Sequence, residues 1–184
     1  MTLLIRGIIR YLFMGPIHWL LTIISYFLVP ILVLFQKDGW LPNWCWWFQT
    51  WDNSLDGDAG WQKTHPVTTG FKQYLNRVLW LYRNPVYGFE RKVLGAKITT
   101  KDTFQTLGDL KIGVVSNYYG TTLSVIKTLE NKTYFEFAWA KPLFGKVFNG
   151  MIGWKLRYAN LDITLGKGDQ IVPIVSTARF GDKN

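Results

Sequence analysis

Ten residues, Asp52-Asn53-Ser54-Leu55-Asp56-Gly57-Asp58-Ala59-Gly60-Trp61, place three carboxylates within seven positions. Carboxylate oxygens this close, with glycines allowing tight turns, could gather around Ca²⁺ or Mg²⁺, so Asp52, Asp56 and Asp58 are candidate metal ligands. The spacing is not that of an EF-hand, which needs ligands at alternating positions and a distant Glu. Two other readings compete. The aspartates could cap turns and helix starts, or one could clasp a basic side chain further on, Arg77 or Arg83. His65, beside Pro66, is the one histidine outside the apolar N-terminal segment. It could join the aspartates only in a metal-dependent enzyme acting on envelope substrates. No Ser or Cys stands in a nucleophile motif such as G-x-S-x-G. Gly166-Lys167-Gly168-Asp169 lacks P-loop spacing and reads as a turn. No residue is assigned a catalytic role, and the balance points away from an enzyme.

The elements that must position this loop are membrane-like. Arg6 and Arg10 lie four apart in an apolar stretch that ends at Gly15-Pro16, suggesting an amphipathic helix at an interface. Pro16 suits the first turn of a new helix. Residues 17–35 then hold no Asp, Glu, Lys or Arg over 19 positions, enough for one span or a re-entrant hairpin. The run exceeds a signal h-region, and no small-residue cleavage site comes after it. His18 and Thr22 are isolated polar groups within it, suited to an interfacial or hydrogen-bonded role. Trp40, Trp44, Trp47 and Trp51 recur at i, i+4, i+7 and i+11, one stripe of an α-helix lying at headgroup depth. Cys45, the only cysteine, sits among them as a buried or lipid-facing small side chain.

Phe71, Leu75, Val78, Leu79 and Tyr82 form a second stripe, with Lys72, Gln73, Asn76 and Arg77 opposite. This predicts an amphipathic helix from Gly70 to Arg83, ended by Asn84-Pro85 and covering a sheet. Beyond Gly95 the period changes to that of strands. Thr121 to Leu129 and Thr133 to Ala140 flank a hairpin at Glu130-Asn131-Lys132, with Phe135, Phe137 and Trp139 on one apolar face. Asn149-Gly150 marks a second hairpin. Met151 to Tyr158, Leu161 to Leu165 and Gln170 to Arg179 supply further strands. The expected fold class is α+β: N-terminal membrane or interfacial helices, then an antiparallel β-meander of five to seven strands. The expected division is an anchor at 1–39, aromatic and amphipathic helices with the acidic loop at 40–95, and a β-rich domain at 96–184.

The charge of +9 is uneven. Residues 1–60 hold three basic and four acidic side chains, residues 61–101 eight and one, and the remainder ten and seven. The excess lies just past the anchor, where lipid phosphates are the nearest counter-charge. Nucleic acid is disfavoured because no binding motif accompanies it. The anchor's own flanking charges favour a cytoplasmic N-terminus, whereas the basic character of residues 61–101 favours contact with the anionic cytoplasmic leaflet.

Two strings carry a resemblance: Asp52-Asn53-x-Leu55-Asp56-Gly57-Asp58-x-Gly60-Trp61, and Arg77-Val78-x-Trp80-Leu81-x-Arg83-Asn84-Pro85-x-Tyr87-Gly88-Phe89. Over residues 17 to 95 the chain resembles small membrane proteins of tailed bacteriophages and prophages, a domain of unknown function. The resemblance implies a phage product at the bacterial inner membrane or in the virion, with no activity and no catalytic residues to transfer. It groups the acidic loop with Arg77, Arg83, Asn84 and Tyr87 as one interaction or structural unit. The resulting expectation is a non-enzymatic anchored protein that engages the bilayer and a host or phage protein. The functions compatible with it are envelope interference, superinfection exclusion and lysis assistance, with a metal-dependent envelope enzyme or a virion component as alternatives.

Overall fold

The computed structural model describes residues 2–114 and 118–181. They divide into two compact units, one of residues up to Gly15 together with those from Leu94, the other Pro16–Val93. The expected segments 1–39, 40–95 and 96–184 are thus cut differently. The architecture is α+β, with a long apolar N-terminal helix followed by antiparallel sheet.

A single helix, α1, runs Thr2–Val33 with Pro16 and Pro30 inside it, so the expected break at Gly15-Pro16 does not occur. A proline inside a helix withholds one N–H, which leaves the carbonyl four residues earlier without its helical partner. In the second unit that carbonyl is supplied from elsewhere: the Tyr82 hydroxyl donates to Tyr26 O at 2.8 Å. The helix end is treated alike. Leu34 N–H turns back to Ile31 O, and the Tyr74 hydroxyl donates to the freed Pro30 O at 3.0 Å. Both tyrosines lie on α3, Gly70–Arg83, whose bounds match those predicted from its stripe.

Three shorter elements complete the second unit: a 3-10 helix at Asn43–Phe48, α2 at Ala59–Gln62 and α4 at Tyr87–Lys92. The 3-10 helix corrects the tryptophan stripe. Pro42 caps it, and Cys45 is non-helical with φ −126° and ψ 18°, so Trp40 to Trp51 run through a kinked 3-10 helix and its flanking loops instead of along one α-helical face. The core gathers Val29, Leu32 and Val33 of α1 with Leu41, Cys45, Leu55, Trp61 and, from α3, Val78, Trp80 and Leu81.

The polarity of α3 differs from expectation. Gln73 and Asn76 are buried, whereas Leu75, Leu79 and Phe71 are exposed, Phe71 by 72%. Phe71, Leu75 and Leu79 of the stripe expected to cover a sheet are therefore uncovered, while Val78 packs in the core and Gln73 and Asn76 lie inside to bond Asp56, Thr68 and the Pro66 carbonyl.

In the first unit, β2 Thr103–Leu107, β3 Gly120–Lys127, β4 Thr133–Leu143, β5 Lys146–Trp154 and β7 Ile174–Gly181 form a five-stranded sheet. Its order, β2-β3-β4-β5-β7, is that of an antiparallel meander; β1 Ala96–Ile98 and β6 Gln170–Val172 pair separately. The hairpin between β3 and β4 falls where expected, closed by Thr128 N–H to Lys132 O at 2.9 Å.

The second expected hairpin is displaced. The chain turns at Phe144 and Gly145, φ 50° and 75°, the left-handed pair that a two-residue turn of primed type requires. Asn149-Gly150 instead lies inside β5, opposite Ala140 and Trp139. Gly150 is there for space: a Cβ would run into the Trp139 ring. The strands expected at Met151–Tyr158 and Leu161–Leu165 are also corrected. The sheet strand ends at Trp154, and Leu156–Thr164 forms α5, since Leu156, Ala159 and Ile163 repeat with helical period as well as Leu156 and Tyr158 do with strand period.

The faces of β4 depart in part from the apolar-face expectation, which Phe135 meets by being buried. Glu136, Ala138 and Ala140 are buried, and Phe137 is 40% exposed. Arg157 of α5 makes this arrangement workable. Its backbone N–H and its Nε donate to the Glu136 carboxylate at 2.7 and 3.0 Å, and an Nη–H donates to Ile112 O. Both side chains are almost fully enclosed. Burial nevertheless pushes the Glu136 carboxyl above its ordinary range, with the Arg157 charge and hydrogen bonds opposing.

Candidate functional site

Asp56, Asp58 and Asp52 do three different jobs. Asp56 Oδ1 accepts from Arg77 Nε at 2.7 Å, Oδ2 from Arg77 Nη2 at 3.3 Å, and Gln73 Nε2 also donates to Oδ1. The fork of a guanidinium matches two carboxylate oxygens, so the pairing is directional as well as electrostatic. Gln73 Oε1 in turn accepts from Thr68 N–H at 2.7 Å. Asp58 caps α2 by accepting from Trp61 N–H at 2.7 Å. Asp52 is exposed; burial first, and the Asp52 charge second, hold the Tyr87 hydroxyl above its ordinary range. Gly57 has φ 78°, and a Cβ there would strike the Trp61 ring. Among the described residues no group of three His, Cys, Asp or Glu side chains is gathered to hold a metal. The Asp56 carboxylate and one oxygen of Asp58 are directed to the protein itself.

The RNPxYGF segment supports the same unit. Arg83 lies 5.7 Å from the Trp61 ring centre and 5.9 Å from that of Trp80. Asn84 closes α3: its N–H and its Nδ2 both donate to Trp80 O, at 3.2 and 3.1 Å. Val86 then takes φ 54° and Tyr87 opens α4, its hydroxyl hydrogen-bonded by the Trp51 side chain. His65 stacks flat on Trp61 at 3.6 Å, away from any carboxylate cluster.

The four tryptophans of the expected stripe lie at the surface. Trp40, Trp44, Trp47 and Trp51 are 45%, 67%, 40% and 53% exposed, even though no α-helical stripe aligns them. Cations accompany the cluster: the Arg91 guanidinium sits 4.1 Å from the Trp51 ring centre and Lys92 Nζ 4.2 Å from that of Trp46. Trp47 stacks on Phe89 at 4.9 Å, and Trp44 meets Phe35, just past the end of α1, edge-on at 6.4 Å. Indoles with adjacent cations are the side chains favoured at headgroup depth. Beyond them, α1 exposes Ile17, Leu20, Ile23, Phe27 and Ile31 while Ser25, Val29, Leu32 and Val33 pack inward. The second unit therefore keeps His18, Gln73, Asn76 and Glu90 inside and much of its aliphatic surface outside. The unit thus has an apolar core with polar groups enclosed beside it, and an extended apolar surface of the kind that marks a contact with lipid or protein.

Sequence reasoning missed several of these residues. His18 Nδ1 lies 2.9 Å from Glu90 Oε1 with both side chains 7% exposed. The two are 72 positions apart in sequence, so no local spacing could have joined them. Arg91 and Lys92 were legible as part of the basic segment but not as partners of Trp51 and Trp46. Cys45 is buried, with its thiol toward Pro42 O at 3.4 Å.

No curated protein and no solved structure matches the chain. One family model does, over residues 2–179, nearly the whole length, and its description is a family of unknown function. By that coverage the chain is a member of the family of unknown function DUF7338.

Proposed function

We propose that this is a membrane-anchored, non-catalytic interaction protein, phage-encoded and resident at the bacterial inner membrane. In this reading the second unit grips lipid and the first displays its sheet to a host or phage protein. The observation that carries the reading is the exposed apolar surface of the second unit, an uncharged helix face and four tryptophans turned outward. One helix, Thr2–Val33, is long and apolar enough to cross a membrane. The phage assignment rests on the two motif strings, both of which fall within the second unit. A surface suited to a protein partner is the sheet's outer aromatic row, where Phe137, Trp139, Phe148 and Phe180 succeed one another at ring separations of 5.9, 6.1 and 5.1 Å.

Fractionation of cells expressing the full chain tests the anchoring. The native protein should stay with membranes through alkaline carbonate, and Leu20→Glu combined with Phe27→Glu should move it to the supernatant while leaving it folded. Release of the native chain by carbonate would refute the anchor.

A further inference from the structure

We infer that α1 lies in one leaflet, parallel to the membrane plane, and does not cross the bilayer. The inference rests on the proposed membrane reading and specifies its topology. Its first support is connectivity within the first unit. Residues up to Gly15 fold with those from Leu94: Tyr11 packs edge-on against Phe135 at 5.7 Å and Trp154 at 5.9 Å, and Arg10 lies over Tyr134 at 5.0 Å. The start of α1 and the sheet are thus on the same side of any membrane. Were α1 to cross after Gly15, the chain would have to cross back before Leu94. Between those points the longest other helix, α3, has 14 residues, about 21 Å against a hydrocarbon core of about 30 Å. Among the described residues α1 alone is long and apolar enough to span.

The second support is the side packing of α1 within the second unit. The helix contacts protein from His18, against Glu90, to Tyr26 and Pro30, whose backbone carbonyls receive the α3 tyrosines. A spanning helix of a lone anchor would present its whole circumference to lipid; this one keeps one side, with His18, Ser25, Val29 and Leu32, against protein. The face with Ile17, Leu20, Phe27 and Ile31 is exposed and apolar. The occupant it fits is a lipid leaflet with anionic headgroups. The aliphatic face would sit about 5–10 Å into the acyl boundary, and the exposed tryptophans with Arg91 and Lys92 would meet the phosphates.

Depth measurements decide it. In a Cys45→Ala background, spin labels are placed on the full chain through Ile17→Cys, Leu20→Cys, Phe27→Cys and Ile31→Cys. The chain is bound to vesicles of phosphatidylcholine and phosphatidylglycerol, and accessibility to oxygen and to a nickel chelate is read. The in-plane helix gives four equal, shallow depths. A profile rising to the midplane and falling again along the roughly 21 Å from position 17 to 31 overturns the inference and leaves membrane anchoring intact. Labels shielded from oxygen in floated vesicles, as a second copy on this face would cause, overturn it as well. A chain that does not float refutes the anchoring itself. Tags at both termini, challenged with protease in sealed vesicles, read the topology without cysteine variants. Cleavage of both or of neither supports the inference, and cleavage of one contradicts it.

Discussion

Replacing Tyr82 by Phe removes the donor to Tyr26 O, the carbonyl that Pro30 leaves without a helical partner. Two environments give different costs. In water the carbonyl rebinds solvent, and losing one hydrogen bond costs about 0.5–1.5 kcal/mol. Under lipid no solvent is available, and an orphaned carbonyl adds a desolvation penalty, for a total of about 1–3 kcal/mol. Pro30→Ala provides the control, because an alanine at that position would carry an N–H for the Tyr26 carbonyl and make the tyrosine redundant. A double-mutant cycle of Tyr82→Phe with Pro30→Ala, measured by thermal unfolding in bicelles, should therefore show a coupling of about 1–2 kcal/mol. Tyr82→Phe should be nearly silent once the proline is gone. Equal costs in both backgrounds would refute the claim that the tyrosine replaces the missing helical donor.

Other outcomes come from the same geometry. Asp56→Ala removes the acceptor shared by Arg77 and Gln73, both largely buried, and should destabilise the second unit by about 2 kcal/mol; chemical unfolding that leaves the midpoint unchanged would contradict the clasp. Arg157→Met strands the Glu136 carboxylate inside the sheet unit and should cost about 3–5 kcal/mol, with Glu136→Gln in the same chain recovering much of it. The Glu136 carboxyl lies above its ordinary 4.5, so the folded unit binds this proton more tightly than the unfolded chain. The stability tied to it is complete below the unfolded value and declines as pH rises through the folded one. Melting temperature should accordingly rise on acidification from neutrality toward pH about 5 relative to a Glu136→Gln/Arg157→Met chain, and parallel slopes in differential scanning would count against it. Arg91→Gln with Lys92→Gln should weaken binding to phosphatidylglycerol vesicles by about 2 kcal/mol, near 30-fold, and leave neutral vesicles unaffected.

Much of the helical half was legible because long stripes carry their own signal. The 14-residue α3 could be read from its period and from Asn84-Pro85, and the uncharged run forecast an apolar helix. What periodicity could not say was which face turns inward. On α3 the rule that apolar residues face the core holds for Val78 and fails for Phe71, Leu75 and Leu79, since Gln73 and Asn76 are held inside by Asp56, Thr68 and Pro66. On β4 the same rule failed at Glu136, whose partner Arg157 is 21 positions away on a helix that short alternation had made look like a strand. Asn149-Gly150 misled for a related reason: its glycine answers to the Trp139 ring across the strand pair, a demand invisible in local sequence. At the site, Asp56 with Arg77 was within reach of charge reasoning, and the exposed tryptophans of composition. The His18–Glu90 approach was within reach of neither, because tertiary packing alone brings it about.

The central claim, that the tryptophan-flanked apolar face of the second unit meets lipid, is tested most directly by the protein's own fluorescence. The native chain is bound to vesicles carrying lipids brominated at successive acyl positions. Quenching should be strongest for bromines nearest the headgroups, and should weaken when Trp40, Trp44, Trp47 and Trp51 are replaced together by tyrosine. Emission indifferent to bromine at every depth would mean that these indoles never reach the bilayer, and the membrane account would fall with them.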